Sequence, residues 1–140
     1  MSKNQKGLKL YDNLDLSKSK NEDELIGVYK DWALLYDKDN DDLLGTVSQP
    51  NAVLMFHEYF KDSKLKIIDV GCGTGLVGLE LKNLGFSNFD GIDISQEMID
   101  IAQSRGYNSL FLGNLNKSLS IDSNSYDAAL CVGVFTHGHV

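Results

Sequence analysis

Hydrophobic residues follow two different patterns along this chain, and the change between them falls near residue 65. Before that point the pattern predicts two helices, one beginning at Asn21 with Glu24 as its capping partner and one following Ser48 as far as Phe60. The first helix is expected to carry a stripe of apolar residues at helical spacing: Leu25, Val28, Tyr29, Trp32 and Tyr36.

The acidic run from Asp37 to Asp42 is expected to end this first helix. Its acids fall at the first, third and fifth places of a calcium-binding loop, which also needs glycine at the sixth place and glutamate at the twelfth. Asp42 and Ser48 stand at those places instead. The run therefore favours a solvated acidic loop over a calcium site.

After residue 65, short apolar runs alternate with helical segments that end at glycines. This alternation predicts an α/β fold in which helices cover both faces of a parallel sheet. Strands are expected at residues 65–70, 89–94, 109–112 and 128–134, and helices at 76–84 and between Ser95 and Gly106.

Composition excludes several classes of protein. The 140 residues fit one domain, in which residues 1–20 are expected to be a flexible leader. A net charge of -7 argues against nucleic acid as a partner, and no apolar run approaches the ~20 residues that cross a membrane. Cys72 and Cys131 lack the spacing of a metal site, and residues 1–6 lack an apolar signal core. We therefore expect a cytoplasmic protein without a bound metal.

The strongest chemical signal is a glycine loop between the first predicted strand and the helix after it. Asp69 is followed by Gly71, Gly73 and Gly75, and glycines at this place let a ligand lie against the backbone. Open α/β sheets bind their ligands here, at the carboxyl ends of the strands. Asp93 ends the second predicted strand, where a carboxylate can bind both hydroxyls of a ribose. We therefore expect a site for a nucleoside cofactor.

This pattern leaves two cofactors open. Gly73, Gly75 and Gly78 satisfy the spacing of a dinucleotide-binding loop, which would make the protein an NAD-dependent oxidoreductase. The carboxylate of Asp69, however, would repel a pyrophosphate and suits a cationic amine. S-adenosylmethionine meets that requirement, because it has a positive sulfonium, an α-amino group and no phosphate.

Four stretches of the chain resemble one family. Residues 69–75 and 91–95 are similar to the class I S-adenosylmethionine-dependent methyltransferases, and residues 29–37 resemble that family's lid. Residues 132–140 resemble the fourth-strand end of the Williams–Beuren syndrome region methyltransferase-like proteins. The resemblance implies a Rossmann-like parallel sheet and S-adenosylmethionine as the cofactor.

The same resemblance implies a shortened sheet. Its relatives have seven strands, so this chain is expected to end after strand four. Residues 21–140 would then form the N-terminal, cofactor-binding part of a methyltransferase domain. The alternative function that follows is a module that binds the cofactor without catalysis.

The resemblance also implies roles for individual residues around the methionine part of the cofactor. Gly71, Gly73 and Gly75 would border that part of the molecule. Asp69 would lie near its amino group, and Asp93 would hold the ribose.

Further roles concern the adenine and the lid. Ile94 would pack on the adenine ring. The amide oxygen of Asn114 would accept from the adenine amino group, at a place where many relatives carry an acid. Tyr29, Trp32 and Tyr36 would close over the site, although the same three residues equally suit a hydrophobic core.

Catalytic residues are harder to predict, because methyl transfer needs chiefly the alignment of nucleophile, carbon and sulfur. His137 and His139 follow the fourth predicted strand and are weak candidates for a general base. The methyl acceptor is expected to be a small molecule or a protein, and nothing in the sequence identifies it further.

Overall fold

A computed structural model of the chain describes residues 22–39 and 47–134. Its elements, in chain order, are α1 (Glu22–Asp39), α2 (Ser48–Tyr59), β1 (Ile67–Val70), α3 (Leu76–Asn83), β2 (Phe89–Asp93), α4 (Gln96–Ala102), a 3-10 turn (Gln103–Arg105), β3 (Leu110–Leu112) and β4 (Ala128–Leu130). The predicted leader, the cap residue Asn21 and both candidate catalytic histidines, His137 and His139, lie outside the described residues.

The four strands form one sheet in the order β3-β2-β1-β4, and every neighbouring pair is parallel. Parallel neighbours need crossover connections, which α3 and α4 provide between successive strands. The register places Asp69 opposite Gly91 and Asp93 opposite Leu112, so the two acids reach the same end of the sheet. The predicted α/β class is thereby confirmed.

Strand β4 is shorter than the apolar run predicts. The expectation of a strand over 128–134 is wrong beyond Leu130, where the chain leaves the sheet. Gly133 has a φ of +75°, a left-handed conformation that extended strands do not contain. Residues 131–134 instead turn over the carboxyl end of the sheet.

The first helix is longer than expected. The acidic run was expected to end the helix at Asp37, but α1 continues to Asp39. The carboxylate of Asp37 accepts a hydrogen bond from the hydroxyl of Thr74 and forms an ion pair with Arg105. Because this charge is paired rather than solvated, it joins α1 to the glycine loop and to the 3-10 turn. The rest of the acidic run, with its calcium alternative, lies outside the described residues from residue 40 to 46.

The main core lies between the sheet and the helices α2 and α3. It consists of buried apolar side chains contributed by these helices, by three strands and by the loop after α3: Val53, Phe56, Ile67, Val77, Leu81, Phe86, Phe89 and Leu130. Full burial of such a side chain stabilises the fold by about 1.5–3 kcal/mol. This packing holds the sheet from which the glycine loop extends.

Local signals correctly predict several boundaries. Ser95 caps α4, since its hydroxyl oxygen accepts from the backbone N–H of Met98 at 3.3 Å. Gly85 and Gly106 follow the helices at φ angles of +88° and +97°. No helix in the described part of the chain is both long and apolar enough to span a membrane, and a cytoplasmic location stays a prediction.

Candidate functional site

A cleft opens at the carboxyl ends of the four strands and holds about 700 Å³ of empty space, including its mouth. Loops after each strand form its floor and α1 forms its roof, as expected for a binding site on an open α/β sheet. Thirteen described residues line it: Tyr29, Tyr36, Gly71, Gly73, Asp93, Ile94, Met98, Gly113, Asn114, Leu115, Val132, Gly133 and Val134.

The backbone of the glycine loop is tied to strand β2. The N–H groups of Gly71 and Cys72 both donate to the carbonyl oxygen of Ile92, at 2.8 and 3.0 Å. The N–H of Gly73 donates to Oδ2 of Asp93 at 2.8 Å, and the N–H of Gly75 donates to the carbonyl of Cys72 at 2.9 Å. Four of the five N–H groups between residues 71 and 75 therefore have acceptors within the protein.

Asp93 joins the glycine loop to the start of α4. Its Oδ2 accepts from Gly73, and its Oδ1 accepts from the N–H of Ser95 at 2.9 Å. Each carboxylate oxygen keeps a second lone pair, so Asp93 can still accept hydrogen bonds from the cleft. Burial raises the pKa of Asp93, and the backbone N–H groups of Ser95 and Gly73 act against that rise.

Gly73 leaves the floor of the cleft bare. Its φ of +53° is left-handed, and a Cβ built on it would meet no heavy atom within 4 Å. The open space on this side of the residue is part of the cleft that Gly73 lines. A ligand can therefore contact the main chain at this point without a side chain between them.

Asp69 is not among the residues that line the cleft, and its place near the cofactor's amino group stays a prediction. It is 1% exposed, and its Oδ2 accepts a hydrogen bond of 2.6 Å from the hydroxyl of Tyr107. Its other oxygen has no hydrogen-bond partner among the described residues. Burial raises the pKa of Asp69 to about 7, with Tyr107 lowering it and the charge of Asp93 raising it further.

Gly75 and Trp32 also lie away from the cleft. A Cβ on Gly75 would meet Tyr107 at 2.9 Å and Ala102 at 3.1 Å, so this glycine makes room for protein side chains. Trp32 is 4% exposed and belongs to the core, because the helical spacing turns it towards the body of the protein. Its ring still contacts Tyr29 and Tyr36, with centroids 6.2 and 4.9 Å away, and these two tyrosines do line the cleft.

Asn114 lines the cleft, and the oxygen of its amide already takes part in one hydrogen bond. Its Oδ1 already accepts from the backbone N–H of Asn116 at 2.8 Å. That N–H can only donate, so it determines which end of the amide is oxygen. The Nδ2 group is buried and has no partner among the described residues. The amide N–H therefore lacks a partner among the described residues, while the oxygen keeps a second lone pair.

Seven of the ten predicted cofactor residues thus line one cleft: Tyr29, Tyr36, Gly71, Gly73, Asp93, Ile94 and Asn114. Sequence reasoning missed Met98, Gly113, Leu115 and the segment 132–134 as lining residues. Their common signal is position, since each directly follows a strand or lies in the first turn of the helix after it. Within the described residues, no group of three His, Cys, Asp or Glu side chains could hold a metal ion.

Comparison with known proteins identifies the family. A family model described as a methyltransferase domain matches residues 67–140, which is more than half of the 140 residues. The chain therefore belongs to the methyltransferase domain family. The narrower resemblance to the Williams–Beuren syndrome region proteins stays a prediction.

Two curated relatives illustrate the likeness. Methyltransferase-like protein 27 of Homo sapiens is 42% identical over 76 residues, which cover 53% of this chain and 31% of that protein. Ubiquinone biosynthesis O-methyltransferase of Rickettsia akari is 36% identical over 78 residues, covering 54% of this chain and 31% of its own. The matched stretch thus spans under a third of each relative's length.

Solved structures bear on the fold. A SAM-dependent methyltransferase from Thermotoga maritima aligns with a TM-score of 0.55 and 22% identity, covering 74% of this chain and 44% of its own. Identity at this level speaks only for the fold. The Rossmann-like arrangement expected from the sequence is confirmed.

Proposed function

We propose that the protein is an S-adenosylmethionine-dependent methyltransferase whose cofactor lies in the cleft at the strand ends. The observation that carries this proposal is the hydrogen bonding of the glycine loop. A loop that binds phosphate directs its backbone N–H groups at the ligand. Here the N–H groups of Gly71, Cys72, Gly73 and Gly75 all donate within the protein.

The charge of the cleft supports the same cofactor. Asp93 is the single charged side chain among its thirteen described lining residues, which include no Lys, Arg or His. The carboxylate of Asp93 suits the ribose of either cofactor, but the lining offers no cation to the pyrophosphate of NAD, and its negative charge attracts a sulfonium or an ammonium group. The cleft therefore favours S-adenosylmethionine over a dinucleotide.

The third glycine of the dinucleotide spacing also has another explanation. A Cβ on Gly78 would lie 2.4 Å from the ring of Tyr107, so packing within the protein alone requires glycine there. The spacing of Gly73, Gly75 and Gly78 consequently gives no independent support to an oxidoreductase.

Each proposed contact uses a group that the cleft leaves available. The free lone pairs of Asp93 would accept from the ribose hydroxyls, and the bare backbone at Gly73, with Gly71 beside it, would border the methionine part. Ile94 would pack on the adenine, and the amide N–H of Asn114 would donate to a ring nitrogen of the base. Tyr29 and Tyr36 on α1 would cover the cofactor.

The chemistry proposed for the site is an in-line displacement. S-adenosylmethionine carries a methyl group on a positive sulfur, and a nucleophile that takes the methyl leaves S-adenosylhomocysteine. The protein's part is to bind, orient and exclude water. The acceptor is a small molecule or a protein, since relatives are named both for ubiquinone biosynthesis and for ribosomal protein L11.

A titration of the 140-residue chain with S-adenosylhomocysteine and NAD, by calorimetry and thermal shift, tests the cofactor. We expect binding of S-adenosylhomocysteine and none of NAD. Binding of NAD alone would overturn the proposal. Turnover is tested separately with radiolabelled methyl donor and candidate acceptors, and a chain that binds without turnover would be the binding module.

A further inference from the structure

Tyr107 connects three parts of the molecule from the loop before β3. Its hydroxyl donates to Oδ2 of Asp69 at 2.6 Å and accepts from the N–H of Gly78 at 3.0 Å. Asp69 belongs to β1 and Gly78 to the first turns of α3, so the hydroxyl bridges the two elements on either side of the glycine loop. Neither partner is near Tyr107 in the sequence.

The ring of Tyr107 fills a slot between glycines. A Cβ on Gly75 would lie 2.9 Å from its Cε2 atom, one on Gly78 would lie 2.4 Å from Cε2 and Cζ, and one on Gly91 would lie 2.9 Å from Cε1. Contacts this short do not occur in folded proteins, so all three positions require glycine while the ring is there. The ring also packs edge-on against Phe89, with centroids 5.1 Å apart.

We propose that Tyr107 is a positioning residue of the cofactor site, which holds the glycine loop in shape with its ring and favours the charged form of Asp69 with its hydroxyl. The proposal rests on the proposed function, because it concerns the same cleft. It assigns Tyr107 no contact with the cofactor or the methyl acceptor. Tyr107 would affect binding indirectly, through the shape of the glycine loop and through the charge of the Asp69 carboxylate.

The charge of Asp69 is sensitive to this one hydrogen bond. The groups that face its carboxylate are Tyr107, Asp93, Cys72 and Cys131. Asp93 opposes its ionisation, and both thiols have raised pKa values and are neutral. Among these groups the hydroxyl of Tyr107 favours the charged form, and the pKa of Asp69 is about 7 with that bond in place.

This arrangement predicts a measurable difference between two ligands. S-adenosylmethionine has a positive sulfur and S-adenosylhomocysteine a neutral one, while the rest of the two molecules is alike. The ratio of their affinities should therefore rise with pH as Asp69 ionises, with a midpoint near pH 7. In Tyr107→Phe the ring stays and the hydrogen bond is lost, so we expect the midpoint to move up by about one to two pH units.

The experiment measures both dissociation constants by calorimetry between pH 5.5 and 9, for the wild-type chain, Tyr107→Phe and Asp69→Asn. Asp69→Asn should abolish the pH dependence of the ratio, which identifies the titrating group. The chemical shift of the Asp69 carboxyl carbon, followed by NMR in the free protein, gives the same midpoint without any ligand.

Tyr126→Phe is the matched control. Tyr126 donates to Oδ2 of Asp90 at 2.7 Å, so it too is a tyrosine bonded to a buried carboxylate on a strand. Asp90 pairs with Ile68 and not with Asp69, and therefore points to the other face of the sheet. We expect the loss of the Tyr126 hydroxyl to leave two midpoints unchanged: that of the affinity ratio and that of the Asp69 carboxyl carbon shift.

The outcomes separate this inference from the proposed function. The inference would be overturned if the midpoint of Asp69 ionisation were the same in wild type and Tyr107→Phe. It would also be overturned if Tyr126→Phe moved that midpoint as far as Tyr107→Phe does. Neither result would count against cofactor binding. A wild-type chain that binds neither nucleoside would overturn the proposed function. In that case the position of the Asp69 carboxyl midpoint in Tyr107→Phe still decides whether the hydroxyl sets the charge.

Discussion

The glycines around strand β1 serve two different purposes on the two sides of one loop. Gly73, the cleft side, borders open space that a ligand could fill, whereas a Cβ on Gly71 beside it would meet Cγ2 of Val134 at 2.2 Å. Gly75, Gly78 and Gly91, the tyrosine side, surround the ring of Tyr107 and leave no space at all. Glycine leaves open space on the cleft side, and it makes room for the protein's own core on the tyrosine side.

This comparison separates affinity from stability. Substitutions on the tyrosine side disturb packing between β1, α3 and the loop before β3, so they should change the free energy of unfolding first. Substitutions on the cleft side should change cofactor affinity first. The predictions below test that separation, beginning with the largest expected effect.

The largest effect concerns the pH dependence of stability. Asp69 has a folded-state pKa of about 7, raised by burial above its ordinary value of 3.8. The folded protein therefore holds this proton when the unfolded chain has lost it, and stability should fall as pH rises from about 4 to 7. Asp69→Asn should remove that contribution, on the order of 4 kcal/mol over the interval. Urea unfolding at several pH values measures it, and parallel curves for both proteins would refute the assignment.

Gly78→Ala should be the next largest perturbation. Its methyl group would lie 2.4 Å from the ring of Tyr107, and overpacking of this kind destabilises by about 1–3 kcal/mol. Urea denaturation measures the loss in free energy of unfolding.

Two further variants make the Gly78 prediction specific. Gly27→Ala is the control, because an added Cβ in α1 meets no atom within 4 Å and should stabilise by up to about 1 kcal/mol. In the double variant with Tyr107→Leu, the loss should be smaller than the sum of the two single losses. Strict additivity would mean that the ring is not the cause.

On the cleft side, Asp93→Ala should lower the affinity for S-adenosylhomocysteine about tenfold to a hundredfold, since hydrogen bonds to a charged group contribute about 1.5–3 kcal/mol. Calorimetry gives the dissociation constant. Asp93→Asn keeps one acceptor oxygen and should lose less. An unchanged dissociation constant in Asp93→Ala would remove this residue from the site.

The smallest expected effect shows whether the N–H or the oxygen of the Asn114 side chain contacts the adenine. If the N–H of Asn114 donates to the adenine ring, Asn114→Asp loses a donor and should weaken binding about threefold to tenfold. If the oxygen accepts from the adenine amino group instead, the added charge should tighten binding. Calorimetry at pH 8 decides between them, and tighter binding would show that the oxygen, not the N–H, meets the adenine.

Much of the fold follows from local patterns. Strand β2 lies within one residue of its predicted bounds, and Ser95, Gly85 and Gly106 mark helix ends as expected. Strand β4 was overpredicted, because an apolar run does not reveal that Gly133 takes a left-handed conformation. Helix α1 was underpredicted, because the ion pair that stabilises Asp37 joins it to Arg105, 68 residues away.

The residues of the candidate site likewise divide into those that a local motif predicts and those that depend on tertiary contacts. Gly71, Gly73 and Asp93 follow from a motif at a strand end, and the structure brings them together. Trp32 was predicted as part of the lid but is core, since helical spacing alone does not say which way a stripe faces. The donor end of Asn114 depends on a loop hydrogen bond that no spacing rule contains.

The sequence by itself determined that parallel strands carry a glycine loop followed by an acid, because periodicity and loop chemistry act over a few neighbouring residues. Tertiary structure alone decided which glycine faces open space in the cleft and which glycines pack against the protein's own side chains. Tyr107 reaches Asp69 across 38 residues and Gly78 across 29, so the slot it fills exists only once β1, α3 and β3 are assembled. Contacts between residues so far apart in the sequence depend on how the elements pack, and a pattern of neighbouring residues does not predict that packing.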